Sequence, residues 1–346
     1  MLAIILISLW TQQPSGFSGT LYSTWFASTS TGWASGDSGT VLMTTNGGQD
    51  WNRIATPTGQ ILRGICFSDP TNGWACGDSG VIIATTDGGQ NWNLKSADPN
   101  ILWHGIYFYD SGFGWVVGSG GLTGRTTDGG NNWIQVSGPV NEQLEAVYFT
   151  DPDHGYAVGR NGTLIFTNDG GQSWSKKNIT WDNWFFDLQF AAPDSGWIVG
   201  SIGIILATTN GGSIWKVQDS GIPWILTGIH FIDPANGWAV GERGYILHTT
   251  DGGDLWTTDT VISSSLVLRE TFFPTVDVGW AVGTSGSIYK YTPSPGVHEE
   301  REGIIRNADL KPGIYDLIGR RVSRTNKPGI YFVVRNNRVD KVIVVR

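Results

Sequence analysis

A short acidic turn recurs along the chain and carries residue types that could bind a cation or act as a general acid or base. Thr85, Asp87, Gly89 and Trp92 mark its pattern in the copy TTDGGQNW. The acidic position is Asp in four copies and Asn in two, so its charge is dispensable. Asp and Asn share a short side-chain oxygen that accepts backbone N–H groups, and paired glycines permit a positive φ. We therefore predict a structural turn whose Trp buries the hairpin, with no metal and no catalytic group.

This turn resembles the Asp-box (BNR) motif, which sialidases also carry. Sialidase chemistry needs three Arg residues gripping a carboxylate, a Tyr nucleophile with an acidic partner, and an Asp acid/base. The sequence has no Arg-Ile-Pro signature before the first box and no evident carboxylate pair outside the repeat frame. We predict that the protein is not an enzyme and uses no cofactor; a sialidase-like glycoside hydrolase is the weakest alternative. The six boxes have their acidic or amide residue and their Trp at Asn46 and Trp51, Asp87 and Trp92, Asp128 and Trp133, Asp169 and Trp174, Asn210 and Trp215, and Asp251 and Trp256.

Charged residues fall where the innermost strand of each repeat is expected to begin, and in the loops between strands two and three. Both positions should share one face of the molecule, and loops on a rigid scaffold often carry function. The candidate residues for a partner site on this face are Arg63, His104, Glu145, Arg160 and Arg269. Solvated loop polarity is the alternative explanation.

Three tryptophans lie outside the repeat frame, Trp181 and Trp184 in one connection between repeats and Trp224 in the next. Exposed indole rings suit a protein contact or a platform on which a sugar stacks. Packing beneath a loop would explain them equally. The sequence therefore predicts a protein or a glycan as the partner.

The elements that must position these residues follow from a repeat. An aromatic residue preceded by Gly recurs every 41 residues, with one spacing of 42, and the boxes recur in phase with it. Each unit reads as four short strands, and this length and strand count are typical of a propeller blade. We predict an all-β, seven-bladed β-propeller over 12–292. One Phe of each innermost strand should lie between blades: Phe26, Phe67, Phe108, Phe149, Phe190, Phe231 and Phe273.

The seventh unit has TPSPG in place of a box and lacks an outer strand. Trp10 lies 41 residues before Trp51, in register with a box Trp. We therefore expect the N-terminal segment to pair with blade seven and close the ring, which removes open sheet edges. The apolar start of the chain also looks like a secretory signal. Trp10 fits both explanations; we assign 1–11 to a signal-like segment and 12–20 to the closing strand.

The repeated pattern GW-A-V-G-x-x-G-x-I-L-x-T-T-D-G-G-x-x-W covers residues 21–291 and resembles the photosystem II stability/assembly factor propellers. That resemblance implies a seven-bladed ring that acts as a non-enzymatic assembly or docking platform.

A Pro/Gly linker at 293–302 precedes a predicted β-sandwich-like module at 303–346. Its segments GIYDLIGRRV and KPGIYFVVRNNRVDKVIVVR resemble the C-terminal sorting domain of the Por (type IX) secretion system. The resemblance implies export through outer-membrane secretion machinery. We therefore expect a secreted or cell-surface binding propeller, with a periplasmic protein and an assembly factor for a membrane complex as the alternatives.

Charge and cysteine content narrow the possibilities further. The first 296 residues carry a net charge of −13 and the remainder +5. An acidic body without a basic stripe argues against nucleic-acid binding. No apolar run is long enough for a transmembrane segment. Cys66 and Cys76, in one predicted hairpin, could form a disulfide or stay as two buried thiols.

Overall fold

The computed structural model describes residues 10–292 and, in the tail, the backbone of four strands. Contacts divide the chain into two compact units, Met1–Ser294 and Pro295–Arg346. Residues 1–9 of the signal-like segment and the linker 293–302 lie outside the described residues. No helix among the described residues has the length and apolarity needed to cross a membrane.

The first unit consists of seven four-stranded antiparallel sheets, and strands are numbered along the chain from β1 (Trp10–Gln13). Blades one to three are formed by β2 (Leu21–Phe26), β3 (Gly32–Gly36), β4 (Thr40–Thr44) and β5 (Asn52–Ile54); β6 (Leu62–Phe67), β7 (Gly73–Gly77), β8 (Ile82–Thr85) and β9 (Asn93–Ser96); and β10 (Trp103–Phe108), β11 (Gly114–Gly118), β12 (Leu122–Thr126) and β13 (Ile134–Ser137).

Blades four to seven continue the same order. Their strands are β14 (Leu144–Phe149), β15 (Gly155–Gly159), β16 (Leu164–Thr167) and β17 (Ser175–Lys176); β18 (Phe185–Ala192), β19 (Ser195–Gly200), β20 (Ile205–Thr208) and β21 (Lys216–Gln218); β22 (Leu226–Phe231), β23 (Gly237–Gly241), β24 (Tyr245–Thr249) and β25 (Thr257–Val261); and β26 (Leu268–Thr275), β27 (Val278–Gly283) and β28 (Ile288–Tyr291). Five blades have a 3-10 turn between their second and third strands, at Asp37–Gly39, Asp78–Gly80, Ser119–Gly121, Ser201–Gly203 and Thr284–Gly286.

The blades form a closed ring. The first strand of each blade contacts the first strand of the next, and β26 contacts β2. Strand β1 completes blade seven by pairing antiparallel with β28, with Trp10 opposite Tyr291. The predicted closing pairing is therefore confirmed, but the strand begins at Trp10, two residues before the predicted boundary. Its indole packs edge-on against Phe273, as a box Trp does in the other blades.

Aromatic stacking holds neighbouring blades together. Phe231 lies flat against Trp197 of the preceding blade at 3.5 Å between ring centroids, and edge-on to its own box residue Trp256 at 5.7 Å. The same pair of contacts recurs for the inner Phe of every blade. Gly73 shows why a Gly precedes each inner aromatic residue: an added Cβ there would lie 2.4 Å from the ring of Phe67. The predicted all-β ring of seven four-stranded blades is confirmed.

The boxes are turns held by hydrogen bonds. In one of them Asp87 accepts from the Thr85 hydroxyl at 2.8 Å and from the Asn91 N–H at 3.0 Å. Asn46 makes the corresponding contacts with the Thr44 hydroxyl and the Asp50 N–H. The hydrogen bonds to Asn91 are the main cause that lowers the pKa of Asp87 to about 2.

The boxes also connect adjacent blades. The indole N–H of Trp115 donates to the carbonyl of Gly170, in the box of the next blade, at 2.9 Å. Equivalent hydrogen bonds to the box of the next blade are donated by the side chains of Trp74, Tyr156 and Trp197. The turn thus presents a backbone acceptor to its neighbour, a role that depends on the shape of the turn and not on its charge.

The two cysteines do not form the disulfide that the sequence left open. Both are free thiols. Cys66 lies opposite Trp74 and Cys76 lies opposite Gly64, so the two are out of register by two residues. Burial raises the pKa of the Cys66 thiol above its usual range.

In the second unit, the described strands form one antiparallel sheet in the order β30, β29, β31, β32. These are β29 (Gly313–Asp316), β30 (Arg321–Val322), β31 (Gly329–Arg335) and β32 (Arg338–Val344). The predicted sandwich and sorting module stays a prediction, because the other residues of 303–346 lie outside the described part.

Candidate binding site: a funnel at one end of the ring

A cavity of about 540 Å³ opens at one end of the central channel, and we call it the funnel. Its wall is formed by the starts of the seven innermost strands. Every one of these strands has a register shift around its second residue. A β-bulge of this kind re-aims the side chain that leaves the ladder. The seven residues, which we call the bulged ring, are Tyr22, Arg63, His104, Glu145, Phe186, Thr227 and Arg269, and all of them line the funnel.

Turns within the same blade hold several members of the bulged ring in place. The Arg63 guanidinium pairs with Asp78 at 2.6 Å, and the Tyr22 hydroxyl donates to Asp37 at 3.1 Å. Both acidic partners are the first residues of the turns between strands two and three. The predicted common face for strand starts and these turns is thus present in the structure.

Glu145 is the centre of a small charge network in the wall. It lies 3.3 Å from His104 of the preceding blade and 3.4 Å from Arg160 of its own blade. Burial alone would raise the pKa of Glu145, but the hydrogen bond and charge of His104, together with Arg160, hold it below its usual value. The negative charge of Glu145 is therefore compensated within the protein.

Arg269 differs from the other charged members of the bulged ring. Its buried Nε has no hydrogen-bond partner, and Arg269 belongs to none of the ion pairs of residues 10–292. In blade two, the turn after the second strand begins with Asp78, which binds Arg63. The equivalent turn in the blade of Arg269 begins with Thr284, which carries no charge. The Arg269 guanidinium, in blade seven, lies 5.9 Å from the centroid of the Tyr22 ring in blade one. The Arg63 guanidinium, in blade two, lies 5.5 Å from the same centroid. A cation of the wall is thus left available to a ligand.

Below the bulged ring, Asp187 and Glu270 reach the floor of the funnel, and we call them the floor pair. Burial raises the pKa of both carboxyl groups, and the charge of Asp187 raises that of Glu270 further. This corrects the expectation that no carboxylates pair outside the repeat frame. The missed signal was in the third residue of the innermost strands, which elsewhere is small: Ser23, Gly64, Gly105, Ala146 and Gly228.

Deeper in the channel the fifth residues of the same strands bring aromatic rings together. Tyr107 and Tyr148 are 4.6 Å apart, Trp25 and Phe272 are 5.7 Å apart, and His230 lies 4.4 Å from Phe272. Burial lowers the pKa of His230 to about 3, so this ring is neutral at ordinary pH. An apolar layer therefore lies beneath the floor pair.

The three tryptophans outside the repeat frame each have a different partner. Trp184 is 43% exposed and carries the Arg160 guanidinium 4.6 Å above its ring, beside the funnel. Trp224 is half-buried under Arg243, at 3.7 Å. Trp181 packs against the core between blades four and five and lines a second cavity of about 380 Å³. Trp184 is thus connected to the funnel through Arg160, which lines it.

The chain matches the protein family described as Photosynthesis system II assembly factor YCF48, in three overlapping segments, 49–144, 133–220 and 176–266. These segments span more than half of the chain. It belongs to this family. No curated protein sequence matches the chain.

Solved propellers of the same fold include members of the YCF48 family. A structure of YCF48 bound to D1 peptide superposes with a TM-score of 0.69 at 22% identity, over 82% of this chain and 96% of that one. YCF48 from Cyanidioschyzon merolae gives a TM-score of 0.67 at 21% identity, over 82% and 98%. Virginiamycin B lyase from Staphylococcus aureus gives 0.69 at 17% identity, over 82% and 98%. The fold is thus shared by binding proteins and by an enzyme.

Proposed function

We propose that this YCF48-family propeller binds an extended segment of a client protein in its funnel and acts as an assembly or docking factor without catalysis. The observation that carries the proposal is the bulged ring, which presents six different types of side chain at seven equivalent positions of seven similar blades. Such a wall offers a different contact in each direction, which suits a side-chain sequence better than a symmetric ligand. The relative solved as YCF48 bound to D1 peptide supports a peptide as the ligand.

The wall is also prepared for binding before a ligand arrives. Arg63 and Glu145 are fixed by their own partners, so little side-chain freedom is lost when a segment binds. Arg269 is free to bind an acceptor of the segment, and the indole of Trp184, against which Arg160 packs, offers an aromatic surface beside another part of the funnel. We assign the candidate partner face to these residues with His104 and Arg160.

Selection of peptides on the full chain tests this proposal. A display library of random nonapeptides is selected on the protein, and enriched peptides are measured by fluorescence anisotropy. We expect Arg269→Ala to weaken their binding about tenfold, because a hydrogen bond to a charged group contributes roughly 1.5–3 kcal/mol. Lys216→Ala, on the outer strand β21, is the matched control and should change binding less than twofold. Equal effects of the two substitutions, or no enriched peptides, would contradict the proposal.

We also propose that residues 303–346 direct export, which would place the propeller outside the cell or at its surface, with the periplasm as the alternative. The support is the sequence resemblance of the tail alone. Mass spectrometry of the protein from its native cells tests it. We expect the mature chain in the culture medium or on the surface, without the tail. An intact C-terminus on a protein confined within the cell would contradict export.

A further inference from the structure

The two carboxyl groups of the floor pair meet over one strand of blade six. Asp187 reaches across from blade five, and its Oδ2 accepts from the N–H of Ile229 in β22 at 2.9 Å. Glu270 comes from blade seven and would lie 2.8 Å from a Cβ placed on Gly228 of the same strand. The missing side chain of Gly228 thus provides space for the Glu270 carboxyl group, while Asp187 is bound to the next residue of the same strand.

No cation of the described chain compensates this pair. Asp187 accepts only backbone N–H groups, from Leu188 and Ile229. Glu270 accepts from the N–H of Thr271. Neither carboxyl belongs to an ion pair of residues 10–292. This contrasts with Glu145, whose charge is offset by two neighbours at the same funnel.

The charged groups around the floor pair are directed elsewhere. Arg63 is paired with Asp78 and Arg160 with Glu145, while Arg269 lies against the Tyr22 ring. The titratable groups that surround the pair along the channel are Tyr22, Arg63, His104, Glu145 and Arg269 above it, and Tyr107, Tyr148 and His230 below it. Two acidic groups thus line the funnel, and among the described residues no cation is held against them.

Charge complementarity indicates what can fill this space. The first 296 residues carry a net charge of −13, so the field around the propeller attracts cations. A cavity of about 540 Å³ accommodates a long side chain and the backbone that carries it. Lys and Arg combine an apolar stem, which the narrow wall can contact, with a cationic head that carboxylates bind well.

We propose that the segment bound in the funnel inserts a Lys or Arg side chain whose cationic head lies between Asp187 and Glu270. This inference rests on the proposed function and specifies the chemistry of the client segment. Because both carboxyl groups have raised pKa values, the incoming cation favours loss of the proton that they hold. Binding therefore releases that proton to solvent, and it weakens as the pH falls.

The nonapeptides selected on the full chain provide the test. Enriched peptides should contain Lys or Arg, and replacing that residue by norleucine should weaken binding about tenfold or more at pH 8. In the double variant Asp187→Asn/Glu270→Gln, the Lys and norleucine peptides should bind equally. The double variant Asp254→Asn/Asp277→Asn removes the same charge from exposed positions outside the funnel and should keep the preference.

A second variant guards against misfolding of the first. The single variant Glu270→Gln keeps the shape of the side chain and the carboxyl group of Asp187, and we expect it to reduce the Lys preference severalfold. Thermal unfolding confirms that each variant folds. Peptides that bind through Arg269 with no Lys or Arg preference would overturn this inference and leave the proposed function intact. Absence of any peptide binding would overturn both.

Discussion

The layer between blades and the bulged ring follow opposite rules within the same seven repeats. Between blades, each inner Phe stacks on an aromatic residue of the preceding blade. In the bulged ring, the equivalent residue is Tyr, Arg, His, Glu, Phe, Thr or Arg. A buried layer must fill the same space seven times, whereas a solvated wall has no such constraint. Repetition in this chain therefore marks the buried layer, and departure from repetition marks the surface that we propose as the binding site.

Two phenylalanines give the sharpest test of this contrast. Phe231 is 2% exposed and lies between Trp197 and Trp256, so Phe231→Ala leaves a cavity between blades. We expect it to lower the free energy of unfolding by about 3–5 kcal/mol, measured by denaturant titration. Phe186→Ala, in the bulged ring, should cost less than half as much because Phe186 faces the funnel. Equal costs would remove the distinction between the two regions.

Ring closure is the next largest effect. Trp10 is 3% exposed, contacts Phe273 and Tyr291, and donates its indole N–H to Asp259 at 2.7 Å. Trp10→Ala should lower the unfolding free energy by about 3 kcal/mol, near the low end of the core range because β1 is an outer strand. Thr11→Ala, which is exposed in the same strand, should change it by less than about 0.5 kcal/mol. If the two substitutions behave alike in thermal unfolding, this segment does not close the ring.

The floor pair and the boxes should respond to pH in opposite directions. The two carboxyl groups of the floor pair have raised pKa values, so the folded state favours their protonated forms. Their contribution to the free energy of unfolding is therefore fully present below the pKa of the unfolded chain, about 4, and is lost as the pH rises. The box carboxylates have lowered values, about 2 for Asp128 and Asp169, so their contribution is lost only as the pH falls below about 4.

Thermal unfolding between pH 5 and pH 8 separates these groups, because the boxes stay ionised throughout that window. We expect Asp187→Asn/Glu270→Gln to raise Tm at pH 8, relative to wild type, by roughly 2–4 °C more than at pH 5, the shift that about 1 kcal/mol produces in a large domain. The control Asp254→Asn/Asp277→Asn should show no such trend. A double amide variant that follows the wild-type pH profile would show that the pair is not strained by its burial.

The sequence predicts the symmetric part of this molecule well, because spacing alone reports a repeated buried layer. Phe231 and Trp256 stand at fixed intervals, and their contacts follow from that. The place of Arg269 at the start of an innermost strand was enough to predict it on this face. The bulge in each innermost strand has no signature of its own in the pattern, so the presence of Phe186 and Thr227 in the funnel wall came only from the structure. Asp187 and Glu270 are 83 positions apart in the numbering, and both reach β22 because blades five and seven flank blade six.

The smallest effect is expected at the acidic position of the box. Asp251 uses one carboxylate oxygen to accept from the Thr249 hydroxyl at 2.8 Å and the Leu255 N–H at 3.0 Å. An amide oxygen can do the same, as it does at Asn210. Asp251→Asn should therefore change the unfolding free energy by less than about 0.5 kcal/mol, while Asp251→Ala should lower it by about 1 kcal/mol. Calcium or a chelator should leave Tm unchanged in the wild type and in both Asp251 variants. If calcium raised the Tm of the wild type and Asp251→Asn abolished that effect, the repeat would preserve the charge and not the turn.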